Sequence, residues 1–253
     1  MDVVVGSSRA FDIVPHMSPG TTVEALPGGK LKNLVPLAKT ITPPTYKLSR
    51  RPHIYFLCGV PDLSELIKSP EHHPYHYKEV IYVEEPSDTI NRYKLALDYA
   101  QREIVRHGAL PVFATIPQFS LEIYNKHMHT CKPPKTQHSH HTADYTTMQH
   151  NLQEAIDAIN GYISSINKKV GASTPFLHDT VRQCRGRKGR RYYVYKWDRY
   201  RDGLHAGDYL AKQWASVLEN TFRLNRERDE DQEEPVSPKR SWKKCRFNLF
   251  HHM

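Results

Sequence analysis

The sequence predicts an α/β domain in three layers (α/β/α), built on a five-stranded, doubly wound parallel sheet. Two observations carry this reading. Short apolar runs rich in β-branched residues show no polar alternation, as expected of strands covered on both faces. Between them lie stretches whose apolar residues recur at helical spacing, the order that crossover helices between parallel strands produce. Length agrees, because 253 residues at 38% hydrophobic content sustain one sizeable core and divide awkwardly into two.

Along the chain the strands are Asp2 to Val5, Thr21 to Leu26, His53 to Cys58, Pro111 to Ile116 and Pro175 to Leu177, the last within Thr174 to His178. The first clear helix is capped by Ser87 or Asp88, carries Tyr93, Leu97, Ala100 and Ile104 on one face, and ends at Gly108. The next runs from Asp144 to Lys169 with Met148, Leu152, Ile156, Ile159, Ile163 and Ile166 in its stripe, and Gly171 closes it. The last runs from Asp208 to about Arg223, with Leu210, Trp214, Val217, Leu218 and Phe222 on one side. Packing on the sheet accounts for every one of these stripes. The domain is expected over residues 1–224, followed by a flexible extension over 225–253 that is acidic from Glu227 to Glu234 and basic from Pro238 to Arg246.

Several classes of function are disfavoured at once. Met1 to Gly6 has no basic segment and only a short apolar run, so neither a signal peptide nor a membrane span is expected, and an intracellular setting, cytoplasmic or nuclear, follows. Cys58, Cys131, Cys184 and Cys245 lie far apart with no CxxC pair, which argues against a disulfide framework and a thiolate zinc site. His127, His129, His138, His140, His141 and His150 cluster beside Lys-Pro-Pro-Lys, yet no carboxylate stands among the first five, so no metal site is expected.

The net charge of +9 is concentrated in one stretch. Arg182, Arg185, Arg187, Lys188, Arg190, Arg191, Lys196, Arg199 and Arg201 face a single acid, Asp198, between Arg182 and Arg201. Interleaved with them are Tyr192, Tyr193, Tyr195, Trp197 and Tyr200, a composition that suits phosphate pairing and base stacking. The same residues also suit a bland reading, with Tyr-Tyr-Val-Tyr as an accessory strand and Arg182 to Arg191 as a solvated turn.

Two blocks point to chemistry. Gly6-Ser7-Ser8-Arg9 forms a tight turn after the first strand, where a nucleophile can be exposed beside the amides of a following helix, although such a turn serves equally as a helix cap. Asp202-Gly203-Leu204-His205 stands just before the last helix, with a carboxylate and an imidazole three residues apart. That spacing lets the carboxylate fix the ring tautomer while the ring takes a serine proton.

Together these blocks resemble the SGNH (GDSL-type) serine hydrolases, whose motifs open and close the domain in this manner. Leu26-Pro27-Gly28-Gly29 matches the glycine block after the second strand in the Pro-Gly form of esterase domains encoded by LINE-type retrotransposons, which suggests a mobile-element or viral origin. Cys58-Gly59-Val60-Pro61-Asp62-Leu63 matches the third block at Gly59, Asp62 and Leu63, but Pro61 replaces the family's Asn, and Ser7 replaces its usual Asp. The resemblance implies a flavodoxin-like sandwich with no cofactor, acting on a small or lipid-like carboxylic ester. Ser8 would attack, His205 would serve as base and then acid, Asp202 would orient His205, and the Ser8 and Gly28 amides would hold the oxyanion. Pro61 removes one donor from that hole, and Gln118 and Asn91 are the candidates to replace it. The competing expectation is a silent SGNH-like module that binds nucleic acid or another polyanion through Arg182, Arg185, Arg187, Lys188, Arg190 and Arg191, in the loop placed beside the triad.

Overall fold

A computed structural model describes residues 2–42, 51–68, 78–82, 84–131, 145–187, 190 and 192–233. The sheet is parallel and four-stranded, in the order β2-β1-β3-β6, with β1 at Asp2–Gly6, β2 at Thr22–Ala25, β3 at His53–Leu57 and β6 at Leu110–Phe113. Val3 lies beside Thr22 on one side and Ile54 on the other, and Tyr55 lies beside Val112. Because the chain adds β2 to one flank of β1 and β3 to the other, the order reverses at β1. Ligands of such sheets collect at the carboxyl ends of the strands beside that reversal.

Alternation along each strand builds two separate cores. Val3, Val5, Ile54, Phe56 and Phe113 face α2 (Leu31–Ile41), α4 (Pro86–Arg106) and α6 (Tyr145–Lys169). Val4, Tyr55, Leu57 and Val112 face the other way, toward α1 (Ser8–Ile13) and α7 (Asp208–Glu233), where Trp214, Leu218 and Phe222 are buried. The three expected helical stripes are the inner faces of α4, α6 and α7. Periodicity did not reveal α1, α2, the short α3 (Val60–Leu63), α5 (Leu121–Cys131) or the hairpin of β4 (Glu65–Lys68) and β5 (Lys78–Ile81).

The expected fifth strand does not form. Its segment, Pro175 to Leu177, carries no strand pairing and runs into a 3₁₀ segment, Leu177–Thr180. The open edge of β6 explains why. Pro111 has no N–H to offer, and both backbone groups of Phe113 are taken by the Asn167 carboxamide, at 2.9 and 2.7 Å. Asn160, seven residues earlier on α6, does the same for both backbone groups of Ile116, at 2.7 and 2.9 Å. Thr115 reaches the missing strand's segment, its N–H and Oγ1 donating to the Pro175 carbonyl at 3.0 and 3.1 Å. Two side-chain amides thus cap an edge that would otherwise invite another strand.

The last helix also departs from expectation, continuing past residue 224 to Glu233. Asn225 is buried, accepting from the Ser173 N–H at 2.7 Å and donating to the Tyr55 hydroxyl at 3.0 Å, while Asp229 lies 3.6 Å from His53. The acidic run therefore begins as docked helix, and residues 234–253, including the basic block, lie outside the described residues.

Replacing Asn167 with Ala leaves a buried N–H and a buried carbonyl unpaired, so unfolding in urea should show a loss of about 2–4 kcal/mol. Asn220→Ala, on the exposed face of α7, should cost less than about 0.5 kcal/mol.

Candidate active site

Ser8 is the first residue of α1, at the carboxyl end of β1. Its Oγ lies 3.2 Å from His205 Nε2, and His205 Nδ1 lies 2.7 Å from Asp202 Oδ2. The three residues singled out from sequence, 197 positions apart at the extremes, therefore meet in one line. The Asp202 carboxylate also accepts the Leu204 N–H at 2.9 Å and the His205 N–H at 2.6 Å. Burial pushes this carboxyl's pKa up, but the His205 ring and the two amides outweigh burial and hold it at about 2. Asp202 is thus ionised at any working pH and fixes the ring with Nδ1–H toward the carboxylate, leaving Nε2 to accept from Ser8.

The loop that carries His205 is closed on itself. Arg201 N–H donates to the His205 carbonyl at 2.9 Å, and Gly207 N–H donates to that of Arg199 at 3.0 Å. Gly203 has φ of +85°, and a Cβ there would sit 2.8 Å from the Tyr124 backbone nitrogen, so this position of the block requires glycine on two counts.

Two residues that the sequence reading passed over hold this loop against the nucleophile's helix. Arg9 is buried, and its guanidinium donates to the Leu204 carbonyl at 3.1 Å and to the Pro117 carbonyl at 3.2 Å. It sits among the rings of Phe119, Trp214 and Tyr200, with centroid distances of 5.3, 5.6 and 5.9 Å. Asp12, one turn after Ser8, accepts the Ala206 N–H at 3.0 Å. The clamp therefore grips the neighbours of His205 on both sides, Leu204 and Ala206. The signal in the sequence was the helical spacing of Ser8, Arg9 and Asp12, which becomes legible only once the turn is known to open a helix. Burial raises the Asp12 carboxyl's pKa, with the Ala206 amide, His205, Arg201 and Arg9 pulling it back.

Ser8, Phe11, Asp12, Pro15, His16, Arg201, His205 and Asp208 border an open cleft of about 520 Å³. Arg201 lies 3.7 Å from Asp12, and His16 lies 3.1 Å from Asp208. A larger hollow of about 680 Å³, between α6 and α7 at the capped sheet edge, contains none of these reactive groups.

Gly28 occupies the third position of a turn in which the Gly29 N–H donates to the Leu26 carbonyl at 2.8 Å. Its φ of +68°, following Pro27, is the conformation a type II turn demands there. Among the described residues, neither the Ser8 nor the Gly28 N–H has a protein acceptor. Neither candidate replacement for the missing Asn is placed to help: the Gln118 amide donates to the Gln153 carbonyl at 3.1 Å and to Asp157 at 3.2 Å, and Asn91 lies on the exposed face of α4.

The basic stretch is not a loop but an antiparallel ribbon, β7 (Arg182–Arg185) paired with β8 (Tyr192–Tyr195), followed by a 3₁₀ segment, Trp197–Arg199. Among the described cations of the stretch, Arg201 borders the cleft with Ser8, whereas Arg182, Arg185, Arg187 and Arg190, expected to lie beside the triad, do not line it. Lys188 and Arg191 lie outside the described residues, as do His72, His73, His76 and 132–144 of the histidine-rich stretch. Among the described residues there is no group of three or more potential metal ligands, and no helix is long and apolar enough to cross a membrane.

The three-layer sandwich, with Ser8 at the carboxyl end of β1, is similar in fold to solved hydrolase structures. Neither a protein-family profile nor a curated relative matches the chain. Among solved structures it is similar to a provisionally assigned acylhydrolase from Bacteroides fragilis NCTC 9343, with 11% identity and a TM-score of 0.50 over 90% of this chain and 86% of that one. The C-terminal catalytic domain of Streptococcus pneumoniae peptidoglycan O-acetyltransferase A has 12% identity and a TM-score of 0.48 over 89% and 94%. A provisionally assigned SGNH hydrolase from Slackia heliotrinireducens has 12% identity and a TM-score of 0.47 over 87% and 97%. At these identities the likeness is one of fold.

Because the folded Asp202 carboxyl titrates at about 2, below its ordinary 3.8, its hydrogen bonds stabilise the protein above roughly pH 4 and are lost as pH falls toward 2. Urea titrations should show wild type losing about 2 kcal/mol more than Asp202→Asn between pH 5 and pH 2.

Proposed function

We propose that this chain is a serine esterase that hydrolyses a small or lipid-like carboxylic ester. The observation that carries the reading is the continuous relay from Asp202 through His205 to Ser8, at 2.7 and 3.2 Å. Ser8 Oγ attacks the ester carbonyl carbon while His205 Nε2 takes its proton. The tetrahedral oxyanion is held by the Ser8 and Gly28 amides, the C–O bond to the alcohol breaks, and His205 returns the proton to the leaving oxygen. Water, activated by the same ring, then releases the acid and restores Ser8. No step calls for a cofactor.

Phe11, Pro15 and Ala211 give the cleft an apolar wall beside the nucleophile, which suits a small acyl group. The absence of a donor at Pro61 favours esters over amides, because an alkoxide is expelled more readily than an amine from a less stabilised intermediate. The Pro27-Gly28 turn supports grouping the chain with LINE-encoded esterase domains, and with that grouping goes an intracellular setting.

A fluorophosphonate probe should label the wild type covalently, and Ser8→Ala and His205→Ala should abolish both labelling and p-nitrophenyl acetate turnover. Asp202→Asn should lower kcat by roughly 10⁴-fold through loss of the productive tautomer. A folded wild type that neither labels nor turns over would overturn the reading. Pro61→Asn should raise kcat, by up to about a hundredfold if the restored side chain reaches the oxyanion.

A further inference from the structure

The β7–β8 ribbon takes no part in the relay, and its chemistry is of a different kind. Arg182 lies opposite Tyr195, Cys184 opposite Tyr193, Gln183 opposite Val194, and Arg185 opposite Tyr192. Directly opposed residues share a face, so Arg185 and Tyr192 stand together on one face and Arg182, Tyr193 and Tyr195 on the other. Tyr192 and Tyr193 are more than half exposed, at 58% and 55%, on a strand whose aromatic rings would ordinarily seek burial.

The inner end of the ribbon is fixed. The Lys196 N–H donates to the Val181 carbonyl at 2.8 Å, and Tyr195 stacks on Trp197 at 5.1 Å, which in turn leads through Tyr200 to buried Trp214. Arg182 is already engaged, by Asp179 at 2.6 Å and by the face of Tyr193 at 4.5 Å. Beyond it, Arg185, Arg187 and Arg190 are exposed and have no carboxylate partner among the described residues. Cations without counter-charges, beside the exposed Tyr192 ring on a rigid base, form a surface that combines phosphate pairing with base stacking. A solvated turn would account for the arginines but not for the exposed tyrosines.

We infer that the outer ribbon, through Arg185 and Tyr192 on one face and Arg187 and Arg190 beyond them, binds single-stranded nucleic acid independently of the esterase site. Stacking needs unpaired bases, which excludes a duplex as the preferred ligand, and nothing in the ribbon distinguishes RNA from DNA.

Fluorescence anisotropy with labelled oligo(U), oligo(dT) and a blunt duplex of equal length, as a function of salt, tests this on the full chain. The expected result is tighter binding of both single strands than of the duplex, unchanged in Ser8→Ala. The triple variant R185E, R187E, R190E should lose at least about tenfold in affinity, and its log–log salt slope should fall in magnitude by about 2, near 0.7 per phosphate contact removed. The variant Tyr192→Ala should lose roughly fivefold or more with the slope unchanged. Lys32→Glu, Arg102→Glu, Lys212→Glu makes the same charge change elsewhere on the surface and should lose clearly less. Equal losses in both charge variants, a duplex bound as tightly as the single strands, or an unaffected tyrosine variant would each overturn the assignment. Absence of binding at low salt would overturn it too. Since thermal melting reports folding of every variant and fluorophosphonate labelling reports the triad separately, failure here and failure of the esterase reading are distinguishable.

Discussion

A guanidinium taken out of water is costly unless its donors are met, and Arg9 is buried with its Nη2 unpaired and with no carboxylate within hydrogen-bonding distance among the described residues. Carbonyls from two distant loops and the faces of three aromatic rings offset that cost. Those partners come from the segment after β6, from the ribbon's root, from α7 and from the loop holding His205. The charge can be buried only when all four are in place, so its burial ties assembly of the fold to assembly of the site. The adjacent residue in the chain is Ser8. Ser8 positioned this way does not depend on the precision of a long loop, because the helix that presents it is the one that grips the loop bearing His205.

Legibility from sequence followed the physics of each element. Strands buried on both faces and helices with long apolar stripes write their period into the chain, so β1, β2, β3, β6, α4, α6 and α7 could be read directly. Helix α1 is short, and α3 and the ribbon strands are shorter still, leaving too few turns or alternations to register a period. Helix α2 does carry a stripe, Leu31, Leu34, Val35 and Ala38, but Pro36 in its interior argues against a helix in sequence. The missing fifth strand shows a different limit. Its apolar run looks like its neighbours, and what prevents pairing is a pair of carboxamides on α6, Asn160 and Asn167, that reach the edge from another element. Such a contact has no local signature. The meeting of Ser8, His205 and Asp202 was legible for the opposite reason, since Asp202 and His205 share one turn and Ser8 follows a strand, each a local pattern with a chemical meaning. Arg9 and Asp12 were not, because their role exists only across a separation of nearly 200 residues.

The ribbon and the cleft divide the positive charge between them unequally. Arg201 approaches Asp12, Arg199 donates to Gln213 and lies over Tyr209, and Arg182 pairs with Asp179. The cations nearest the fold are thus absorbed into its architecture, and the uncompensated ones lie toward the tip. A run that reads as one basic block in sequence is therefore two groups, an inner set with structural partners and an outer set without.

The departure at Pro61 can be understood from what surrounds it. Proline needs no N–H in the first turn of a helix, and here the Asp62 and Leu63 amides close that turn on the Gly59 carbonyl at 3.0 and 2.9 Å. The block's carboxylate, Asp62, then accepts the Leu31 N–H at 3.0 Å, the first amide of α2, which directly follows the Pro27-Gly28 turn. Burial raises the Asp62 carboxyl to about 6, so near neutral pH it is charged and faces the positive end of α2. The third block has thus given up a donor of its own while keeping the contact that anchors the turn bearing Gly28. In the proposed mechanism the oxyanion would meet two backbone amides, and preorganised donors are what let a small number of them act on charge that develops only in the transition state.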